Sequence, residues 1–260
     1  MSFPESRRLV FRENPLVEVI CQLTFPSILA IAAELPAPFQ ERVRDVYPIY
    51  SRVEPVLNMP AGLAKLLAEL PVAVSQEAFP HRFSSEDESA SLTLSSEFLA
   101  ISVNNYSRWE VFRQAVEHAK QALEDVYRPA FYSRVGLRYR DVIDRERLGL
   151  ADVPWVELLS PAVLGVLADQ PSLRGGVRSL RGETFIALDD PQGASVRLVH
   201  GLLDGASRDH FTVDADWFLN ERSATDAVFV TLDKFNRQAG DLFRWAIEPR
   251  LGAALGERDD

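Results

Sequence analysis

Residues 16–25, LVEVICQLTF, place Val17, Val19, Cys21, Leu23 and Phe25 on one side and Leu16, Glu18, Ile20, Gln22 and Thr24 on the other. One side is wholly apolar, which predicts a half-buried strand. A helix is predicted over 37–47, where Phe39, Val43 and Val46 recur at helical spacing. Pro48, Pro55 and Pro60 then predict an irregular connection over 48–60, followed by a short apolar helix, AGLAKLLAEL. Over 74–105 the period returns to two, as a three-strand meander whose first turn is the acidic SSEDE. The clearest helix follows at 107–127. Phe112, Val116, Ala119, Leu123 and Val126 form one stripe, and Ser107 with Glu110 forms an S-x-x-E capping box.

The second half repeats this order. FYSRVGLRYRDVID (131–144) is a strand and SPAVLGVLAD a helix. GVRSLRGETFIALDD and ASVRLVHGLLD form a hairpin around DDPQG, and HFTVDADWF is a third meander strand. A long helix over 225–249 carries Val228, Leu232, Phe235, Ala239, Leu242 and Ala246 on one stripe and ends at Pro249. Each half, 1–128 and 129–260, thus reads as strand, helix, three-strand meander, helix. The halves share order more than sequence, which predicts a structural duplication of class α+β: one or two curved antiparallel sheets with helices on one face, packed as one cooperative unit. This order resembles the duplicated TATA-binding-protein-like fold, by analogy of fold alone.

Composition narrows the functional classes. With 260 residues, 47% hydrophobic and 25% charged, the chain can bury a sizeable core. The single cysteine, Cys21, excludes a disulfide framework and predicts a cytoplasmic setting. No apolar stretch suits a leader or a membrane span. A formal charge of -10 argues against non-specific nucleic-acid binding, which requires a basic surface that displaces counterions.

Catalytic motifs are sparse. Neither a phosphate-cradling loop nor a G-x-S-x-G elbow occurs, and RGGVRSLRG reads as a turn into a strand. His81, His118, His200 and His210 lack metal-ligand spacing, His118 on the polar side of its helix. Asp214 and Asp216 of DAD project to one face, a geometry that hard cations accept and that the end of a strand explains equally. No metal and no cofactor is expected.

One pattern stands out. With Val135, Leu137, Tyr139 and Ile143 toward the helices, Arg134, Arg138 and Arg140 share the opposite face, with Gly136 between them. Arg178 and Arg197, in neighbouring meander strands, are candidates to join them, on a face that depends on register. These cations either pair across strands with carboxylates such as Glu18, Glu77 or Glu97, or form an anion-recognition surface where Gly136 lets a ligand approach the backbone.

The opening ENPLVEVICQLTF, the strand VGLRYRDVID and the long helix after FTVDADWF resemble an uncharacterised, sporadically distributed bacterial family with an N-P-L-x-E-V start and a G-L-R-Y-x-N-x-I strand. This chain has Asp141 where that pattern has Asn. The resemblance spans most of the chain and implies an accessory or defence-type gene with no assignable catalytic residue. Two functions are therefore expected. The first is a non-catalytic binding or adaptor protein that takes a protein partner or an anionic ligand on an Arg-bearing sheet face or inter-half cleft, with homo-oligomerisation open. The alternative is an enzyme on an anionic small substrate, with Arg138 and Arg140 binding and Asp141, His200 or His210 as acid or base.

Overall fold

The structure is a computed structural model that describes residues 3–52, 80–169, 176–202 and 210–259. In the first half, β1 (Leu9–Phe11) precedes the predicted strand β2 (Leu16–Thr24). Two short helices follow, α1 (Leu29–Ala33) and α2 (Ala37–Val43), then β3 (Ile49–Arg52). The meander is β4 (His81–Ser84), β5 (Ala90–Leu94) and β6 (Phe98–Val103), and α3 (Trp109–Tyr127) closes the half. The second half runs β7 (Arg134–Asp144), α4 (Pro161–Leu164), α5 (Val166–Asp169), β8 (Leu180–Ala187), β9 (Ala194–Leu202), β10 (His210–Leu219) and α6 (Val228–Ala246). Beyond α6 come α7 (Pro249–Leu255) and β11 (Glu257–Asp259). The predicted helix 61–70, the start of the first meander strand and Glu77 lie outside the described residues.

All main strands join one antiparallel sheet of order β3-β4-β5-β6-β2-β7-β10-β9-β8. β2 and β7 pair at its centre, so the two halves meet as two wings of one sheet. The chain is α+β, with its helices packed on one face. That face carries Val19, Cys21, Leu23, Leu137, Val213 and Trp217, each at most 1% exposed. The stripes of α3 and α6 meet it through Phe112, Val116, Leu123, Leu232, Phe235 and Leu242, all buried. Burial of this apolar surface is the main stabilising term, at about 25 cal/mol per Å2. Among the described residues, no helix is long and apolar enough to cross a membrane.

Four expectations are corrected. Residues 49–52 form edge strand β3 against β4 where an irregular connection was expected; Ile49 and Tyr50 are exposed, so no burial period marks the strand. Ser107 does not cap α3. The cap position is Arg108, without a side-chain hydrogen bond, and Glu110 is taken by a bidentate contact from Arg8 at 2.7 and 2.9 Å. The long second-half helix ends at Ala246, short of Pro249, which instead opens α7 at a first-turn position where the missing N–H costs nothing. Finally, Val17 does not share the apolar face of β2. The register against β7 shifts between Leu16 and Glu18, which leaves Val17 36% exposed and brings Leu16 opposite Asp141.

Candidate functional site

The open sheet face holds the predicted arginines, and it holds them paired. Arg138 donates to both oxygens of Asp214, at 2.7 and 2.5 Å. Arg134 donates to Asp216 at 2.9 and 3.1 Å and to Gln22 Oε1 at 3.0 Å. Arg140 reaches Glu18 at 3.5 Å, and Arg197 reaches Glu183 at 2.6 Å. The two carboxylates of DAD are thus the partners of β7, through the register that sets Asp214 opposite Arg140 and Asp216 opposite Arg138. Arg197 is brought to the same face, opposite Asp216 from the other side. Arg178 is not: it precedes β8 in irregular chain and is exposed.

Gly136 does not open the backbone to a ligand. A Cβ there would lie 2.1 Å from Arg134 Nη1, so the space above the glycine is filled by the guanidinium that bridges to Asp216. The hydrogen bond from Arg138 holds Asp214 while raising the guanidinium's own pKa, and burial pushes Asp216 up despite Arg134. The face is a neutralised lattice of cross-strand pairs, and this is one of the two alternatives the alternation left open.

The histidines stay apart. His81 lies in β4 on one wing, with Tyr50 Oη 3.0 Å from its Nδ1. His200 is buried on the other wing, stacked on Phe211, and burial lowers its pKa. His210 pairs with Asp144 at 3.2 Å at the strand end. No group of three metal-ligating side chains occurs among the described residues.

On the helix side lies a cavity of about 630 Å3. Its floor is β7, through Tyr139 and Asp141; its walls come from α6 and from the start of α3; its roof is the segment 6–16. This roof crosses from the first half onto the second. Ser6 donates its N–H and its hydroxyl to Asp241 Oδ1, both at 2.8 Å, Phe3 packs on Trp217 and Trp245, and Phe11 packs on Phe243. β1 pairs with β11 and so ties the roof to the strand that follows α7. The bulge at Val17 sits beside the floor and sets Leu16 into the lining.

The chemistry of the cavity centres on Asp141. It is 6% exposed, and no described side chain donates to its carboxyl. Its pKa is pushed up to about 8, by burial first and then by the charge of Asp214 across the sheet. A buried carboxyl without a cation is more stable as the neutral acid, because ionisation there lacks both water and counter-charge. Tyr139 donates to Asn236 Oδ1 at 2.8 Å, and Tyr106 meets Tyr139 edge to face at 6.0 Å. Burial raises both phenols, Tyr106 to about 12, so both remain neutral hydrogen-bonding groups. Asp233 accepts from Trp109 Nε1 at 2.8 Å and from Arg113 at 3.2 Å. At the rim, Arg7 and Arg237 are exposed and form no ion pair with described residues.

Sequence reasoning reached Asp141 as an acid or base candidate but missed its companions. Arg7, Tyr106 and the adjacent pair Asn236 and Arg237 come from three separated segments, and no local spacing unites them with Asp141.

Comparison with known proteins adds little. No family model matches the chain, and no curated protein matches it. Among solved structures the chain is similar to Methanococcus jannaschii TBP, at 13% identity over 87% of this chain and 98% of that one, with a TM-score of 0.29. At that score the likeness carries no argument, and the α+β architecture rests on the strand order and helix layer described above.

Proposed function

We propose that this is a non-catalytic binding protein that holds an anionic small molecule in the cavity between its two halves. The observation that carries the reading is the cavity itself: about 630 Å3, inside the range usual for small-molecule sites, with two guanidiniums at its mouth that pair with no described carboxylate and a partnerless buried carboxyl at its floor. Arginine forks suit carboxylate and phosphate, and a site that leaves them unpaired keeps them available for such groups. The open sheet face supports a ligand or protein partner less, because its cations already have carboxylate partners. The acidic balance argues against duplex nucleic acid.

The test is thermal unfolding with inorganic phosphate and citrate as probes. Millimolar anion is expected to raise the melting temperature of the parent protein and not that of Arg7→Ala/Arg237→Ala. Equal shifts in both proteins would reject the cavity as the anion site. A second reading, an enzyme on an anionic substrate, is favoured by one observation, the carboxyl of Asp141 poised at about 8, near the working range of a general acid. Under that reading Asp141→Asn abolishes turnover while anion binding persists.

A further inference from the structure

Resting on the cavity reading above, we propose that the ligand is a free nucleoside phosphate, its base set against Asp141 and its phosphate directed to Arg7 and Arg237. The floor group decides the class. Asp141 is 6% exposed, it opens into the cavity between β7, the β2 bulge and the helix layer, and no described group neutralises it. A carboxyl so placed is held neutral by the cost of burying an unpaired charge. A neutral carboxyl presents a C=O acceptor and an O–H donor side by side. A partner that satisfies both at once in one plane is a ring edge with an adjacent donor and acceptor, a lactam or an amidine edge, as nucleobases carry. An ionised polycarboxylate offers no donor, and the hydroxyls of a sugar phosphate meet the two atoms of the carboxyl without the coplanar pairing of a ring edge.

The surroundings fit a flat heterocycle. Tyr139 and, packed against it, Tyr106 line the cavity, as do Trp109, Phe11 and Phe243. Aromatic side chains give a planar ring apolar contact and stacking while their polar edges stay hydrogen-bonded. Here Tyr139 is fixed by Asn236 and Trp109 by Asp233, so these rings hold their positions before a ligand enters. The two rim cations then provide what the floor lacks, charge complementarity for phosphate. An oligonucleotide is disfavoured because the roof segment, clamped by Ser6 on Asp241 and by β1 on β11, encloses the space from above.

Isothermal titration of the full chain tests this, with the four common ribonucleoside monophosphates and triphosphates, ribose 5-phosphate and inorganic phosphate as probes. At least one nucleotide is expected to bind tenfold or more tightly than ribose 5-phosphate. Asp141→Leu is expected to remove that advantage and leave ribose 5-phosphate affinity unchanged. Asp141→Asn, which keeps an adjacent donor and acceptor at nearly the same volume, is expected to stay within about threefold for some base. Tyr106→Leu, which removes the ring and keeps an apolar side chain, serves as a second variant, and it is expected to weaken nucleotide binding and leave ribose 5-phosphate affinity unchanged. Nucleotides no tighter than ribose 5-phosphate would overturn the heterocycle class while the anion site stands. Loss in Asp141→Asn as complete as in Asp141→Leu would overturn the paired-edge contact. Absence of binding by every probe, inorganic phosphate included, would overturn the cavity reading itself.

Discussion

Asp141 binds a proton in the folded chain that the unfolded chain releases, and this has a sign that can be measured. Its folded pKa, about 8, lies above the ordinary carboxylate value of 3.8. Between those values the native state holds one more proton than the unfolded state, so the stability contributed here is full below about pH 4 and falls as pH rises toward 8. The slope from one such group is at most about 1.4 kcal/mol per pH unit. The groups around it do not reverse this, since Tyr106 and Tyr139 are raised further and Asp214 acts through its negative charge. Urea melts at pH 5 to 9 are expected to show that Asp141→Asn removes this component and is more stable than the parent at pH 8. A variant that keeps the parental slope would mean that Asp141 is ionised throughout. At this scale the sequence was legible in part. Period-two alternation put Arg134, Arg138 and Arg140 on the open face; Asp141 was not placed with the covered positions Val135, Leu137, Tyr139 and Ile143, and its missing counter-ion becomes visible only when neighbouring elements are in place.

At the level of elements, alternation identifies a strand and its faces but not its register. The strands of Arg138 and Asp214 were each readable; their pairing was not, because nothing in either sequence says that β7 and β10 are adjacent. Glu18 was named in advance as an arginine partner and is one, of Arg140. The cap on α3 failed for a related reason: a distant side chain, Arg8, competes for Glu110. The β7–β10 pairing predicts that Arg138→Ala destabilises the chain by about 1 kcal/mol, somewhat more if Asp214 is left largely covered and unpaired. In a double-mutant cycle with Asp214→Ala, the two losses should fall short of adding. Strict additivity would mean that the bidentate contact contributes nothing. Gly136 belongs to the same lattice, since any side chain there displaces Arg134 from Asp216 and Gln22.

For the whole molecule, the order strand, helix, meander, helix was legible in both halves because amphipathic period and turn residues are local signals. The joining of the halves was not. β2 takes β6 on one side and β7 on the other, so each half supplies a ladder edge to its counterpart. The roof segment moreover packs on α6, in the opposite half. A fragment of residues 1–128 is therefore expected to lack cooperative unfolding by circular dichroism, since it exposes the edge of β2 and loses the aromatic contacts that Phe3 and Phe11 make with the second half. A fragment with a sharp thermal transition and a stable monomeric state would show two autonomous domains.

The pairing of β1 with β11 imposes an order in time. Residues 9–11 leave the ribosome early, but their strand partners, residues 257–259, are made only after every other element of the sheet and helix layer. Until then the roof rests on α6 and on earlier contacts, Phe3 on Trp217 of β10 and Arg8 on Glu110 of α3, without the tie between β1 and β11. The cavity thus takes shape after the sheet around it during synthesis, and nascent chains stalled before residue 257 should carry a formed sheet centre but an unfinished binding chamber.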